Sequence, residues 1–287
     1  MKPTLHPVLA TRNCHNRDQY IQFFEEDHKY VIINDTNNKY TSVTTWNHSH
    51  FPIFNANLII KNMMRGKNWK EGHKYWGLTA EEIKKQWSNN SSAVSGAGTD
   101  LHFEIECFMN NPDLESGFKG YKNADLYETY LQNPNLKEVV EWDYFINFVK
   151  DHSELKPYRT EWIIYDEDLK ISGSIDMVYE NPDGTLSIYD WKRSKEITRV
   201  NNFNKFAINK LICHMPDANF WHYALQLNTY KRILERKYGK TVTDLYLVRL
   251  HPDAEEKNYE LIKLPDLSKE IDELFEERKQ KLILNSK

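Results

Sequence analysis

Residues 160–194, TEWIIYDEDLKISGSIDMVYENPDGTLSIYDWKRS, contain three apolar runs rich in β-branched and aromatic residues. The runs cover residues 162–165, 171–179 and 186–191, and the turn-forming sequence NPDG at 181–184 separates the last two. Short runs of this composition between turn signals are typical of strands. We therefore predict three consecutive strands, of which the second and third form a hairpin around which the fold is built.

Two aspartates and a lysine lie on this hairpin. Asp190 and Lys192 are two residues apart and project from the same face of the third strand, about 6.6 Å apart along it. Asp176 lies on the neighbouring strand, where a cross-strand partner comes within roughly 5 Å. Two carboxylates 4 Å apart repel each other by about 4 kcal/mol at an effective dielectric of 20. Such a pair has a raised pKa, binds a divalent cation, or is splayed apart in water as ordinary charges on a solvated hairpin edge.

Four motifs occur in one order along the chain: GAGTDLH ending at His102, GSID ending at Asp176, DWK at 190–192, and QLNTY at 226–230. Together they resemble the PD-(D/E)XK nuclease superfamily, and specifically its RecB-like exonuclease branch. The resemblance implies an α/β protein with a restriction-endonuclease-like αβββαβ core, in which helices flank a central mixed sheet. It also implies metal-dependent hydrolysis of phosphodiester bonds.

The resemblance implies a set of metal ligands. His102, Asp176 and Asp190, with the carbonyl oxygen of Trp191, are expected to hold one or two Mg²⁺ or Mn²⁺ ions. Glu106 lies one helical turn after His102, where it either contacts the metal through water or pairs with a lysine. Three well-separated cysteines do not match the spacing of an iron–sulphur cluster found in some RecB-like nucleases, so no cluster is expected.

The remaining catalytic candidates follow from the same motifs. Lys192 is expected to assist the attacking water or to stabilise charge on the phosphorus. Gln226 and Tyr230 share one helix face and either contact the substrate backbone or position the catalytic lysine; a buried polar pair is the alternative. Glu161 lies on the first strand, where it is either a further acid of the metal site or an ordinary polar position.

Basic and aromatic residues follow the third strand. They are candidates for binding phosphates and stacking on a base, or else for pinning the loop to the core; they are Arg193, Lys195, Arg199, Phe203 and Lys205. A second basic run at 61–74 either tracks phosphates or is a solvated helix face.

The composition is that of a globular protein: 287 residues, 40% hydrophobic, 28% charged, with a net charge of −4. This charge argues against a protein that coats nucleic acid, but it permits a local basic groove. The odd number of cysteines favours an intracellular, reducing compartment, with cytoplasm and nucleus not distinguished. Neither a membrane span nor the apolar segment of a signal peptide is recognisable. The frequent Asn and Lys fit a viral or phage origin.

We expect an N-terminal extension over 1–88, packed on a nuclease core over 89–287 as one structural unit. The elements expected outside the three strands are a β-ribbon at 19–45, helices at 54–64, 79–87, 92–109, 136–151, 217–238 and 266–282, irregular structure at 111–132, and strands at 243–250 and 258–264. Asn55 is the expected N-cap of the helix at 54–64, and a capping box of Thr79 and Glu82 is expected to open the helix at 79–87.

The expected function is a metal-dependent DNA exonuclease that acts on ends or single strands in recombination, repair or replication. An RNA or DNA endonuclease of the same superfamily is one alternative. A nonenzymatic nucleic-acid-binding module with a decayed site is another, although the ligands and the lysine are all present. DNA is the expected partner, with RNA as the alternative. Polarity and protein partners are not readable from the sequence.

Overall fold

The computed structural model describes residues 5–24, 26–27, 29–37, 39–112, 121–132 and 139–285. The chain divides into two compact units. The first unit consists of Met1–Pro52 and His102–Lys287, and the second of Ile53–Leu101. Residues before Ile53 belong to the first unit, where a strand formed by Thr41–Ser42 joins the main sheet.

The described residues form eight strands and eight α-helices. The strands are β1 (Ile21–Phe24), β2 (Lys29–Ile32), β3 (Thr41–Ser42), β4 (Lys156–Asp166), β5 (Ile171–Glu180), β6 (Leu186–Lys192), β7 (Val242–Arg249) and β8 (Glu260–Lys263). The helices are α1 (Val8–Arg12), α2 (Val43–His48), α3 (Ala56–Arg65), α4 (Ala80–Met109), α5 (Asn123–Gln132), α6 (Val140–Asp151), α7 (Asn219–Lys237) and α8 (Ser268–Asn285).

The main sheet has the order β3-β5-β6-β7-β8, with β4 paired antiparallel to β5. β6 pairs antiparallel to β5 and parallel to β7, so the sheet is mixed. The parallel pair requires a crossover connection, which α7 provides. With α5 and α6 inserted between α4 and β4, the elements α4, β4, β5, β6, α7 and β7 follow one another in the order of the expected restriction-endonuclease-like αβββαβ core, which is thereby confirmed.

Turn chemistry explains why β5 and β6 form a hairpin. Gly184 has φ +82°, in the left-handed region that glycine adopts without strain. Its N–H donates to the carbonyl of Asn181 at 2.9 Å, and the Asp183 carboxylate accepts the N–H of Thr185 at 3.0 Å. Every residue of β6 except Lys192 is buried, as a central strand covered on both faces requires.

Helices α7 and α8 cover one face of the sheet. Leu225, Leu227 and Ile233 of α7 are fully buried, and Leu274 and Phe275 of α8 pack into the same core. Because α7 is anchored in the core, its polar side chains are held in place near the end of β6.

The N-terminal part of the first unit is hydrogen-bonded to β4 through Asp18. The Asp18 carboxylate accepts hydrogen bonds from Arg159 Nη1 at 2.7 Å and from the Trp162 indole at 3.0 Å. The ribbon expected at 19–45 is confirmed for β1 and β2, which pair antiparallel. It is wrong beyond them: β3 pairs parallel with β5, and residues 43–48 are helical because Ser42 caps α2 through the N–H of Thr45.

Two expectations about helices are wrong. Residues 80–109 form one helix, although the polar sequence SNNSS at 88–92 suggested a break between two. Residues 123–132 are helical, whereas irregular structure was expected there. The expected helix at 136–151 begins at Val140, and residues 136–138 lie outside the described part of the chain. No helix within the described residues combines the length and the low polarity that a bilayer span requires.

The second unit contains α3 and the first part of α4. Asn55 caps α3 by accepting the N–H of Leu58 at 3.0 Å, as expected. At the start of α4, Thr79 and Glu82 form the expected capping box: the Thr79 N–H donates to the Glu82 carboxylate at 2.8 Å, and the Glu82 N–H donates back to the Thr79 hydroxyl at 3.3 Å.

Candidate active site

The site lies where β5 and β6 separate. Met177 and Tyr189 form the last strand pair on this side, after which β6 continues alongside β7 only. The N–H of Trp191 therefore lacks a backbone partner on β5 and donates instead to Asp176 Oδ2 at 3.1 Å. This hydrogen bond holds the Asp176 carboxylate in the gap between the two strands.

Glu161 faces Asp176 from β4. The register pairs Thr160 with Met177 and Trp162 with Ile175, so Glu161 and Asp176 are opposite each other. Glu161 has φ +40°, an uncommon conformation for a non-glycine residue, and Ser174 Oγ donates to its Oε2 at 2.8 Å. Strained backbone of this kind concentrates at functional sites.

His102 joins the two acids from α4. Its Nε2 donates to the carbonyl oxygen of Trp191 at 2.9 Å. Its Nδ1 lies 3.5 Å from Asp176 Oδ2 and 3.9 Å from Glu161 Oε1. One ligand atom each from His102, Glu161 and Asp176 lie within 4.8 Å of one another, so the three could share an ion.

The donor set fits a divalent cation. Two carboxylates, an imidazole and a carbonyl oxygen suit Mg²⁺ and Mn²⁺. Burial disfavours the charged form of His102, but Asp176 and then Glu161 outweigh burial and raise the pKa of His102 to about 9. The acids thus attract a positive charge even without an ion, and an ion bound here would compete with the proton on His102.

Asp190 and Lys192 lie beside this cluster on β6. Lys192 Nζ is 2.6 Å from Asp190 Oδ2, and Asp190 is 1% exposed. Burial raises the pKa of Asp190, and Asp176 raises it further. Burial acts to lower the pKa of Lys192, but Asp190 and Asp176 outweigh it and raise that pKa. Lys192 is therefore a fixed positive charge, and Asp190 is its buried partner.

Three side chains of α7 support the lysine and the strand beneath it. Lys192 Nζ lies 4.8 Å from the centre of the Tyr223 ring, a cation–π contact. Gln226 Nε2 donates to the Tyr230 hydroxyl at 3.2 Å. The Tyr230 ring is buried against Gly173, where an added Cβ would lie 2.8 Å from its Cε1. Tyr230 is 3% exposed, so its ring offers no free face for a base.

Sequence reasoning missed Tyr223. It precedes Gln226 by three residues and Tyr230 by seven, a spacing that places all three on one face of a helix. That spacing was the signal for including it with the other two.

Glu106 lies outside the three-residue cluster that the described residues form. Burial, followed by the charge of Glu161, raises its pKa to about 7. The Glu106 carboxyl group therefore lies close enough to Glu161 for their negative charges to repel each other. At a pH equal to this pKa, half of the Glu106 carboxyl groups are protonated and neutral. This environment is compatible with contact through water, one of the two alternatives expected for Glu106; the other, pairing with a lysine, stays a prediction.

Arg193 is held in an ion pair. Its Nε donates to Glu141 Oε1 at 2.7 Å, and both side chains are largely buried. The pair joins α6 to the chain that leaves β6. Sequence reasoning missed Glu141 because its partner is 52 residues away along the chain.

The other basic and aromatic candidates after β6 are more exposed. Lys195 Nζ is 3.9 Å from Asp253, and the Arg199 guanidinium lies 4.0 Å from the centre of the Phe220 ring. Phe203 is 81% exposed and Lys205 is also exposed. All four side chains are exposed to solvent.

A mixed sheet of this topology, with acids and a lysine where two strands separate, defines a nuclease of the restriction-endonuclease-like class. The family model of the PD-(D/E)XK nuclease superfamily matches residues 127–285, more than half of the chain. The chain belongs to this superfamily, whose members are nucleases that generally depend on divalent metal ions. A search of the curated proteins found no match.

Proposed function

We propose that this protein is a Mg²⁺- or Mn²⁺-dependent DNA exonuclease that hydrolyses phosphodiester bonds at ends or in single strands. The observation that carries the proposal is the cluster of His102, Glu161 and Asp176 in the gap between β5 and β6, with the Asp190–Lys192 pair beside it. Recombination, repair and replication are the processes that need such an activity.

The residues of the site have different roles in metal binding and catalysis. His102, Asp176, Asp190 and the Trp191 carbonyl would hold the metal, with Glu161 as a further acid of the site. The Asp190 carboxylate also keeps Lys192 in place next to them. A divalent ion in this position supplies a bound water of lowered pKa and a positive charge for the phosphate oxygens. Lys192 adds a second positive charge, fixed by Asp190 and by the Tyr223 ring, where negative charge develops on the scissile phosphate.

The exonuclease assignment is supported by the motifs. GAGTDLH, GSID, DWK and QLNTY occur in the order of the RecB-like branch. Tyr230 of the last motif packs against β5 at Gly173 and accepts a hydrogen bond from Gln226, so in our proposal the pair positions the strand of Asp176 rather than stacks on a base.

The test is a cleavage assay with the purified full chain. The substrates are end-labelled single-stranded DNA, duplex DNA, covalently closed single-stranded circles and RNA, each with Mg²⁺, Mn²⁺ or EDTA. We expect progressive shortening of linear DNA with either metal, no cleavage in EDTA and little attack on circles.

Each other outcome has a definite meaning. Efficient nicking of circles contradicts the exonuclease proposal and favours an endonuclease. Preferential cleavage of RNA contradicts the DNA assignment. Tight binding of DNA without cleavage under any metal condition indicates the nonenzymatic alternative.

A further inference from the structure

Charge is distributed unequally between the two units. Residues 53–101, the second unit, contain seven lysines and arginines against four aspartates and glutamates, a net charge of +3. The remaining residues carry −7, which brings the whole chain to −4. The positive charge is concentrated in 14 residues, 61–74, with five basic residues against the single acid Glu71.

These five basic residues are exposed to solvent, and among the described residues none has a carboxylate within ion-pair distance. They are Lys61, Arg65, Lys67, Lys70 and Lys74. Elsewhere in the described chain many basic side chains are paired, as Arg17 is with Glu167 and Arg232 with Asp272. The positive charges in such a run repel one another, and a bound polyanion would offset this repulsion.

Aromatic rings lie among these cations. Trp69 is 5.8 Å from Trp76 and 5.0 Å from His73, measured between ring centres. The Trp87 indole donates to the Tyr75 hydroxyl at 3.0 Å, which fixes Tyr75 within the same unit. Trp76 is nevertheless 48% exposed.

The backbone that carries these residues is compact. Consecutive turns close the segment after α3: the N–H groups of Trp69, His73 and Trp76 each donate to the carbonyl three residues earlier, at 2.8–3.0 Å. Gly72, with φ +93°, lies within the second of these turns, the one that His73 closes on Lys70. The cations and the exposed tryptophan are thus presented by a folded surface.

We infer that this surface, the five basic residues of 61–74 together with Trp76, binds a single-stranded polynucleotide. The basic side chains would contact successive phosphates and Trp76 would stack on an unpaired base, the combination by which single strands are bound without base readout. The inference rests on the proposed function only in that the bound polyanion would be the nuclease substrate. The surface recognises what single strands of DNA and RNA have in common, a phosphate backbone and unpaired bases.

The test measures binding by the full chain in EDTA, so that cleavage does not interfere. A five-site variant replaces Lys61, Arg65, Lys67, Lys70 and Lys74 by glutamine. Its control makes the same charge change at five exposed lysines of the first unit that also lack an ion-pair partner among the described residues: Lys29, Lys39, Lys210, Lys269 and Lys279. Labelled single-stranded DNA and RNA, duplex DNA and anionic phospholipid vesicles are titrated with each protein.

We expect the five-site variant to bind single strands about tenfold or more weakly, and the control to remain within about threefold of wild type. Each lost phosphate contact lowers the dependence of log K on log salt by about 0.7, so the slope should fall by up to roughly 3.5. DNA and RNA should both be affected, and the tighter of the two identifies the preferred strand. Equal binding by the five-site variant and its control overturns the inference, as does an effect confined to vesicles.

Trp76 provides the second variant. Trp76→Ala should weaken single-strand binding by roughly 5- to 150-fold, the range for loss of one stacked base. Duplex binding should change little, because its bases are already stacked on each other. Trp76→Phe should restore most of the affinity, and Phe24→Ala, also 48% exposed but in β1, should have no effect. Equal losses for single strand and duplex contradict stacking on Trp76.

A cleavage assay separates this inference from the proposed function. If the surface is not used, the five-site variant cleaves DNA in Mg²⁺ with the wild-type KM. If the protein is not a nuclease, no form of it cleaves, yet the five-site variant still loses affinity for single strands.

Discussion

Glu161 is held in left-handed backbone geometry between two residues that pair regularly with β5. A non-glycine residue in this conformation costs about 1–3 kcal/mol, which the surrounding strands must offset. The result of that strain is that its carboxylate faces Asp176 and His102. We therefore regard Glu161 as the most informative residue for testing the metal site.

Glu161→Gln should weaken Mn²⁺ binding by about tenfold or more while leaving the protein folded. The amide keeps the shape of the side chain but lacks the negative charge that a hard cation requires. Isothermal calorimetry of wild type and variant measures the difference. Glu180→Gln is the control, because Glu180 forms an exposed ion pair with Lys156 at the far end of β5. Unchanged Mn²⁺ affinity in Glu161→Gln would falsify its role as a ligand.

Lys192 and Asp190 form a buried ion pair whose members have different consequences when removed. Lys192→Met should lower kcat by about 10²–10³, the loss typical of a positioned electrostatic group. It should also destabilise the protein by about 3–5 kcal/mol, since it leaves the buried Asp190 carboxylate without its partner. Single-turnover cleavage and urea unfolding measure the two effects.

The double variant Asp190→Asn/Lys192→Met separates stability from catalysis. It removes both charges, so we expect it to recover much of the stability while remaining inactive. Recovery of activity together with stability would show that Lys192 acts only through folding.

At the scale of elements, the contact between α7 and β5 decides where Asp176 lies. Tyr230 packs so closely on Gly173 that a methyl group there would lie 2.8 Å from the ring. α7 also carries Tyr223 under Lys192, so a shift of this helix would disturb both strands of the hairpin. The glycine in GSID is thus needed for packing beside the site.

Gly173→Ala should destabilise the protein by about 1–3 kcal/mol, because overpacking forces side chains or backbone to move. Gly98→Ala is the control, because it is expected to stabilise the protein. Its added Cβ meets nothing within 4 Å, and alanine favours the helix α4 by about 0.5–1 kcal/mol. Thermal unfolding followed by circular dichroism distinguishes the two signs. Destabilisation of equal size in both variants would contradict the packing argument.

At the scale of the whole molecule, His50 couples the fold to pH. It is 5% exposed, its backbone carbonyl accepts the N–H groups of Ile208 and Asn209, and its ring packs edge-on against Trp46. Burial lowers the pKa of His50 from 6.5 to about 4, although Glu277 acts in the opposite direction. The neutral imidazole is therefore part of the folded structure.

Acidification should reduce the contribution of His50 to stability between pH 6.5 and about 4. In this range the unfolded chain takes up a proton that the folded protein excludes, so protonation stabilises the unfolded state. At about 1.4 kcal/mol for each pH unit, the loss is roughly 3 kcal/mol. Urea unfolding at several pH values should show a shallower decline for His50→Gln than for wild type. His214→Gln, at an exposed position, should follow wild type.

Much of the site was predictable because its parts are local. Asp190 and Lys192 lie two residues apart on a strand, and the turn at 181–184 brings Asp176 to the same end of the hairpin. Asn55 and the Thr79–Glu82 box were also predictable as helix caps, because a cap depends on three or four neighbouring residues. The polar residues at 88–92 led to the wrong prediction of a break between two helices. One long helix continues through them although Ser and Asn have only modest helix propensity.

The sequence by itself determined the β5–β6 hairpin and the identity of the acids and lysine on it, since periodicity and turn chemistry act over a few residues. The αβββαβ order was implied by the resemblance of the four motifs to the PD-(D/E)XK superfamily. Only the tertiary structure decided that His102 meets the Trp191 carbonyl 89 residues away, that Glu161 faces Asp176, and that β3 joins the main sheet. It also decided that residues 53–101 form a unit of their own. These outcomes depend on strand register and helix packing, which are set by contacts between segments far apart in the chain.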